Sequence, residues 1–508
     1  MINFIIQAGG RGSRLRHRVW NMPKCIVSVK NKPLIYHLMD LYPEAKFHII
    51  GDYKYDVLET YLKTNSPKSN YTLYKTTGKG TCCGIKNVLN SINENEKVVV
   101  TWGDILYLKR HNFDYKDPVI FKTSCYDSRY KFCSDDKIVK QKTSKDGVAG
   151  IFYFPNKSHI PLENITTDQQ GSFLNWCIDN VSGYVSREIT SIQELGDYDN
   201  YESIIKESSN CRFFNELEFT DTTVHKRCVD KEYDFLIKNE QYWYDYVSKK
   251  GFNQIPKVIS KSPYVIEKIS GKHIYDLKQE HMSTAIQNVI DSLRALHRLE
   301  KKSVDTLELF SVYVTKTKQR LEKILNLIPY ANQKYITING IKCKNIFYQN
   351  SLSGIDDIYK ELNTDKFSLI HGDPSLSNII VDKDLHPHFI DPRGYFYEKK
   401  LYGDANYDFA KVYFSAVSGY DFYNKKDFIL YMDDDTVEVI MPNHLNEIRA
   451  EKIFEDNFQK KELRKIKFIN ALIWFGMSSY AIDDLNSIYA AHFLGLYYLE
   501  KIHRNTNE

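Results

Sequence analysis

The sequence predicts an α/β chain of two domains. Residues 1–210 read as an α/β/α layer around a mostly parallel sheet. Residues 211–508 read as an α+β domain, with a small mixed lobe over 211–275 and a helical lobe over 276–508. Three observations carry this. In the first part, short apolar runs ending near Gly or Asp alternate with helical patterns, the order expected of a parallel sheet covered by helices. Near residue 210 that alternation gives way to strand–turn–strand and then to long amphipathic patterns. And 508 residues are more than one hydrophobic core usually holds.

In order, "NFIIQA", "KFHIIGD" and "KVVVTWGD" read as strands, and "PLIYHLMDLY", "YDVLETYLK" and "CCGIKNVLNSI" as the helices between them. Gly9, Gly10 and Asp104 then fall at carboxyl ends of strands, where such sheets bind ligands. Downstream, "FFNELEFTDTTVHKRC" reads as a strand, a polar turn and a second strand. "KEYDFLIKNEQYWYDYVSKKG" is a helix closing at Gly251, "PYVIEKISG" a strand and turn, and "TAIQNVIDSLRALHRLE" an amphipathic helix. Residues 325–365 carry the weakest pattern and read as helix and loop; the remainder beyond "HGD" reads as mainly helical.

A net charge of +4 is too mild for a nucleic-acid partner or an anionic membrane surface. The opening run "FII" is too short for a signal peptide, and no stretch approaches the roughly 18 apolar residues of a membrane span. The nine cysteines include no C-x-x-C pair, and Cys82 and Cys83 are adjacent, which reads as reduced thiols in a cytoplasmic protein. Nothing in the pattern sets an oligomeric state.

The opening "QAGGRGSRLRHRVWNMPKC" places Gly9, Gly10 and Gly12 directly after a strand, with Arg11, Arg14, Arg16, Arg18 and Lys24 close behind. Glycines let backbone N–H groups approach an anion, and cations meet its charge, as a triphosphate requires. Alone, these residues fit a glycine turn beside a solvated basic face equally well. The whole stretch, with "MPKCIVSVKNKPLI", resembles the nucleotidyltransferases that activate sugar phosphates and phosphocholine. The match is close over residues 5–35 and extends over roughly the first 210. The resemblance implies a Rossmann-like nucleotidyltransferase fold, with Ala8, Gly9, Gly10, Gly12 and Arg14 at the triphosphate and Lys24 at the α-phosphate. It implies Gly80 and Thr81 of "TGKGTCCGI" on the nucleobase side, and Asp104 of "WGDILY" as a Mg²⁺ ligand. Lys24 and Arg14 are the expected catalytic cations. One departure stands out. A second metal aspartate is usual near the domain's end, and "QELGDYDNY" has Gly196 at that place, leaving Asp197, Asp199 or another arrangement as the second ligand.

"LIHGDPSLSNIIVDKDLHPHFIDPRG" breaks as loop, strand, strand, a hairpin that would bring Asn378 and Asp391 together. Phosphoryl transfer from ATP needs a carboxylate beside the acceptor hydroxyl, which Asp373 suits, and oxygen ligands for Mg²⁺, which Asn378 and Asp391 suit. A polar loop on an exposed hairpin is the ordinary alternative. The stretch resembles the aminoglycoside phosphotransferase and choline kinase family, relatives of protein kinases, over approximately residues 211–500. The resemblance implies a protein-kinase-like domain in which Lys226 grips the ATP phosphates and Glu240 holds Lys226. Backbone groups from Glu267 to Ile269 would meet adenine, His297 would be a packed helix residue, and Asp408 would be structural.

A kinase makes a phosphate ester and a nucleotidyltransferase uses one. The two together imply an enzyme that phosphorylates a small acceptor with ATP, then caps the phosphate from a second triphosphate (CTP, UTP or GTP), giving an activated precursor for surface polysaccharide or lipid decoration. The acceptor is read as a sugar or polyol. The alternative is choline or another amino alcohol, whose amine would need an aromatic cage; Trp243, Tyr242, Trp474 and Phe475 are available for one, or for the core. A non-catalytic nucleotide-binding scaffold is the reading from another class.

Overall fold

A computed structural model describes residues 1–133, 137–208, 215–229, 231–398, 400–442, 445 and 448–504. The chain divides into two compact units, one of Met1–Ser208 with Ile482–Asn486, the other of Ser209–Ala481 with Ser487–Glu508. The boundary expected at 210/211 lies outside the described residues.

The first unit is built on a nine-stranded sheet. Its elements are β1 (Ile2–Gln7), α1 (Leu34–Leu41), β2 (Lys46–Gly51), α2 (Tyr55–Thr64), β3 (Asn70–Lys75), α3 (Ile85–Leu89), β4 (Lys97–Trp102), β5 (Ile105–Tyr107), β6 (Val119–Thr123), β7 (Gly147–Phe154), α4 (Phe173–Asn180), β8 (Val185–Glu188), β9 (Ile192–Glu194) and α5 (Tyr198–Ser208). The strands β4, β1, β2 and β3 lie side by side and parallel. β7 joins β4 antiparallel, β6 joins β7, and β8 pairs with β6. Helices cover both faces of such a sheet, so its strands are apolar throughout: Phe4, Ile5, Phe47, Val98, Val99 and Val100 are fully buried.

The chain leaves β1 toward β2 on one side and returns to β4 on the other. The carboxyl ends of β1 and β4 therefore flank a crevice at the point where strand order reverses, the usual ligand site of such sheets. Gln7 pairs with Trp102 there, so the loop after β1 and the Gly103–Asp104 turn after β4 emerge together. Gly103 is required for this: a Cβ on it would lie 2.9 Å from the Gln7 carbonyl oxygen.

The second unit begins with a four-stranded antiparallel sheet: β10 (Asn215–Phe219), β11 (Thr223–Cys228), β12 (Val258–Lys261) and β13 (Tyr264–Glu267), in the order β10–β11–β13–β12. α6 (Asp234–Lys249) connects β11 to β12 and ends before Gly251, whose φ is +88°. Next come α7 (Gln279–Leu299), α8 (Lys316–Glu322), β14 (Lys366–Leu369), the hairpin of β15 (Ile379–Val381) and β16 (Pro387–Phe389), then α9 (Ala405–Ala416), α10 (Lys460–Ser478) and α11 (Leu485–Arg504). α7 buries Ala285, Ile286, Val289, Ile290, Leu293 and Leu296, a helical stripe, and packs on α9, which also packs on α10.

The lobe expected to be helical differs in one respect. Tyr335–Ile338 and Ile341–Lys344 form a hairpin, and it pairs through Tyr335–Ile338 with a second hairpin of Ile429–Asp433 and Thr436–Ile440. The first turn is Asn339–Gly340, both at positive φ, the two-residue turn that matches strand twist. Among the described residues, no helix is long and apolar enough to cross a membrane.

Candidate active sites

In the first unit the glycine loop wraps the Lys24 side chain. Gly12 sits at φ +64°, and a Cβ there would lie 3.0 Å from Lys24 Cβ; one on Gly9 would lie 3.1 Å from Asp52 Cβ. The Ala8 N–H donates to the Ile50 carbonyl at 2.8 Å, which anchors the loop to β2. Lys24 ion-pairs with Asp104, and both side chains are largely buried. The four arginines of the opening stretch separate. Arg18 is buried against Glu202 at 2.7 Å and is structural. Arg11 and Arg16 lie over Tyr53 and Tyr198. Arg14 pairs with Glu194 at 3.0 Å and reaches the crevice.

Glu194 answers the question raised by Gly196. β9 runs antiparallel to β5 with Glu194 opposite Ile105, which sets it beside Asp104. A Cβ on Gly196 would fall 2.1 Å from Glu194 Oε1 and 2.8 Å from both Arg14 Nη2 and Asp104 Oδ2. Residues two apart on an extended segment share a face. The carboxylate expected from position 196 is thus supplied from 194, and glycine at 196 leaves room for it. Burial, and then the nearby Asp104, push the Glu194 carboxyl up from its ordinary range. Asp104 Oδ1 is buried with no hydrogen-bond partner among the described residues. Two close carboxylates with an unsatisfied buried oxygen fit a hard divalent cation. The Glu of "QELGD", two positions before Gly196 and on the same face, carries that signal in the sequence.

Gly80 and Thr81 serve a local role as well. A Cβ on Gly80 would lie 2.2 Å from the Gly171 carbonyl oxygen, and the Thr81 hydroxyl accepts from the Phe173 N–H at 2.9 Å. The segment is thereby pinned to the N-terminus of α4.

In the second unit, α6 places Glu240 against Lys226 of β11. Lys226 Nζ lies 2.6 Å from Glu240 Oε2, and it also pairs with Asp391. Tyr264 OH donates to the other Glu240 oxygen at 3.1 Å. Burial alone would pull the Lys226 amine down; Glu240 and Asp391 outweigh it and hold it above its ordinary value. The hairpin forms as expected, with Ile379 opposite Phe389, and the Ile390 N–H donates to the Asn378 carbonyl at 3.0 Å. Asn378 and Asp391 therefore lie side by side at its open end. Asn378 Nδ2 donates to the Asp373 carbonyl at 2.9 Å, so its amide oxygen is the atom it could offer a cation. Asp391 sits at φ +52°, a strained setting that Asp tolerates and that functional positions retain. An amide oxygen and a carboxylate beside a lysine suit Mg²⁺ on a polyphosphate.

Asp373 ion-pairs with Lys411 of α9 at 2.9 Å. Its loop is held from beneath: the His371 and Gly372 N–H groups each donate to Asp408 at 2.8 Å, and His297 contacts Asp408 at 3.0 Å. His371 accepts from the Asp373 N–H through Nδ1 and donates from Nε2 to the Ile390 carbonyl; burial lowers its pKa and keeps it neutral. Lys411 is three residues after Asp408 in "YDFAKVYFS", on the same helical face, which is the pattern that would have found it. At the β13 end, the Glu267 N–H donates to the Lys257 carbonyl and the Lys268 N–H to Thr222. The Ile269 N–H makes no hydrogen bond with a described residue. Of the four aromatics considered for an amine cage, Tyr242 is exposed and the other three belong to the core. Trp243, Trp474 and Phe475 are fully buried, and Trp243 Nε1 donates to the Ile370 carbonyl at 2.7 Å.

Comparison with known families agrees with this division. Residues 3–122 match the family model described as nucleotidyl transferase, and residues 206–423 match the phosphotransferase enzyme family. The chain joins a nucleotidyl transferase domain to a phosphotransferase-family domain. Both are transferase families. The nucleotidyl transferase domain is 31% identical over 115 residues to a CTP:phosphoglutamine cytidylyltransferase of Campylobacter jejuni subsp. jejuni serotype O:2. That match covers 21% of this chain and 46% of the relative, so it spans about half the relative's length. Similar solved structures include HddC from Yersinia pseudotuberculosis, at 22% identity and TM-score 0.34 over 41% of this chain and 99% of that one. Another is the CTP:phosphocholine cytidylyltransferase LicC from Streptococcus pneumoniae, at 19% identity and TM-score 0.33 over 40% and 97%.

Proposed function

We propose that the chain carries out two consecutive transfers on one metabolite: ATP phosphorylates an acceptor hydroxyl in the phosphotransferase domain, and a nucleotidyl group, from CTP, is then transferred to that phosphate in the other. The observation that carries this is the presence in one chain of Asp373 with Asn378, Asp391 and the Lys226–Glu240 pair, and of Lys24 and Arg14 with Asp104 and Glu194. The first set suits making a phosphate ester and the second suits consuming one. The similarity to a cytidylyltransferase supports CTP as the second nucleotide.

In the kinase step the acceptor oxygen attacks the γ-phosphorus, its proton passes to Asp373, and ADP leaves. Lys226, positioned by Glu240, meets the charge of the ATP phosphates. In the second step a phosphate oxygen of the ester attacks the α-phosphorus of CTP and pyrophosphate leaves. Lys24 and Arg14 lower the repulsion between the two anions, and N–H groups of the Gly9–Gly12 loop face the phosphates. Asn378 with Asp391, and Asp104 with Glu194, are the residues that would hold Mg²⁺, which neutralises phosphate charge when bound.

The test is a mass-spectrometric turnover screen with ATP, Mg²⁺, each of CTP, UTP and GTP, and a panel of small hydroxylated acceptors. A CDP-linked product that forms only with ATP and CTP together is the expected result. ADP formation with no nucleotide-linked product would remove the second half of the proposal. Glu194→Gln is expected to raise the Mg²⁺ concentration for half-maximal nucleotidyl transfer by about tenfold or more and to leave ATP-dependent phosphorylation intact. An unchanged Mg²⁺ requirement would remove Glu194 from the metal site.

A further inference from the structure

The surroundings of Asp373 carry more positive charge than ATP chemistry on a neutral acceptor needs. Lys411 pairs with Asp373 itself. Arg393, just after Asp391, lies against the same loop: its N–H donates to the His371 carbonyl at 3.0 Å, and a Cβ on Gly372 would lie 3.0 Å from Arg393 Cβ. Lys316 and Arg320 are one turn apart on α8, and the Lys316 amine feels Arg393, Lys411 and Asp373. The Lys316 amine is largely enclosed and makes no hydrogen bond or ion pair with a described residue. Burial, and then Arg393, Arg320 and Lys411, push this amine down to about 5; Asp373 is the carboxylate that opposes them. Neither Arg320 nor Arg393 has an acidic partner among the described residues. Arg320 is instead held by Tyr480, with Nη2 2.6 Å from the hydroxyl, and lies against Gly476 of α10, where a Cβ would come within 3.1 Å of Nη1. Arg393 lies 4.5 Å from the centre of the Tyr395 ring and 3.5 Å from the Tyr407 hydroxyl. Lys316, Arg320, Tyr407 and Gly476 border a cavity of about 30 Å³.

Two guanidinium groups with no acidic partner among the described residues crowd an enclosed amine beside Asp373, and this crowding, with burial, holds the amine below its ordinary range. Such an arrangement is stabilised by a bound anion. The triphosphate has its own lysine, Lys226, on β11. We propose that the acceptor of phosphoryl transfer is itself an anion, a hydroxyl compound bearing a carboxylate or phosphate group that Lys316, Arg320 and Arg393 hold beside Asp373. A quaternary or protonated amine would be repelled from the same place. This rests on the reading of Asp373 as the base for the acceptor hydroxyl and deepens it.

Two measurements on the full chain test it. The first is phosphorylation by ATP of acceptors matched except in charge: glycerate, glycerol 3-phosphate, glycerol and 3-amino-1,2-propanediol, with glucuronate, glucose 6-phosphate, glucose and glucosamine as a second series. The anionic members are expected to react, and the carboxylate or phosphate arm that reacts names the group. Faster turnover of neutral or cationic members, still lost in Asp373→Asn, would overturn the anionic acceptor and leave the kinase standing. The second is calorimetric binding of sulfate with MgADP present. Lys316→Met and Arg320→Met are each expected to weaken it on the order of tenfold, with MgATP binding retained, and Arg320→Lys to restore most of it. Sulfate affinity equal in wild type and variants would overturn the pocket. Sulfate binding lost in the variants, with no acceptor phosphorylated in any series, would keep the anion pocket and overturn the kinase reading.

Discussion

Asp373→Asn is expected to lower ATP-dependent phosphorylation by about 10²–10⁴-fold and to leave nucleotidyl transfer to a pre-formed phosphate ester intact. The asparagine keeps the shape of the side chain but cannot take the acceptor's proton, so the loss falls on kcat. The substitution also removes the counter-ion of Lys411, an enclosed amine whose charge Asp373 supports. An unpaired buried charge destabilises a fold, so the single variant melts at a lower temperature. Asp373→Asn with Lys411→Met recovers the melting temperature and remains inactive. That pairing separates loss of the base from loss of structure. If both transfers disappeared together in a folded variant, the two sites would not be independent. If phosphorylation survived, the base would lie elsewhere.

Lys24→Met is expected to lower nucleotidyl transfer by about 10²–10³-fold, with ADP formation in the presence of acceptor unchanged. Lys24 is far more enclosed than Arg14 in the first crevice and is paired with Asp104. Removing it leaves Asp104 and Glu194 facing each other with less positive charge between them. The variant therefore binds Mg²⁺ more tightly as it turns over more slowly. Half-saturating Mg²⁺ falls while the rate falls, opposite to the change expected of Glu194→Gln. A loss of rate with weakened Mg²⁺ binding would instead mark Lys24 as support for the metal site rather than a group at the α-phosphate.

The stretches that proved legible in the sequence are short and contiguous. The glycine loop with Lys24, and the run from His371 to Asp391, carry their chemistry within about twenty residues, because a phosphate cradle or a metal hairpin is itself a local backbone shape. Lys226 and Glu240 lie fourteen positions apart on a strand and the following helix, and their role came from family resemblance. The hairpin over Tyr335–Lys344 was equally local, and its Asn339–Gly340 turn was in plain view. Reading that region as helix and loop missed it because its strands are only four residues long and complete their sheet with Thr436–Ile440, almost a hundred positions away.

Glu194 and the cations around Asp373 are a different matter. Glu194 meets Asp104 across ninety positions through the pairing of β9 with β5, and Gly196 has meaning only once that register exists. Lys316 and Arg320 are one turn apart on α8, but no spacing in the chain joins them to Arg393, after β16, or to Lys411 of α9. The sequence by itself determined the two kinds of chemistry, since local backbone geometry and residue type suffice to cradle a phosphate or present a base. Tertiary structure decided which carboxylate lies beside Asp104 and which basic side chains gather near Asp373, because electrostatic environment depends on distance through space, and packing alone brings those side chains within reach of one another.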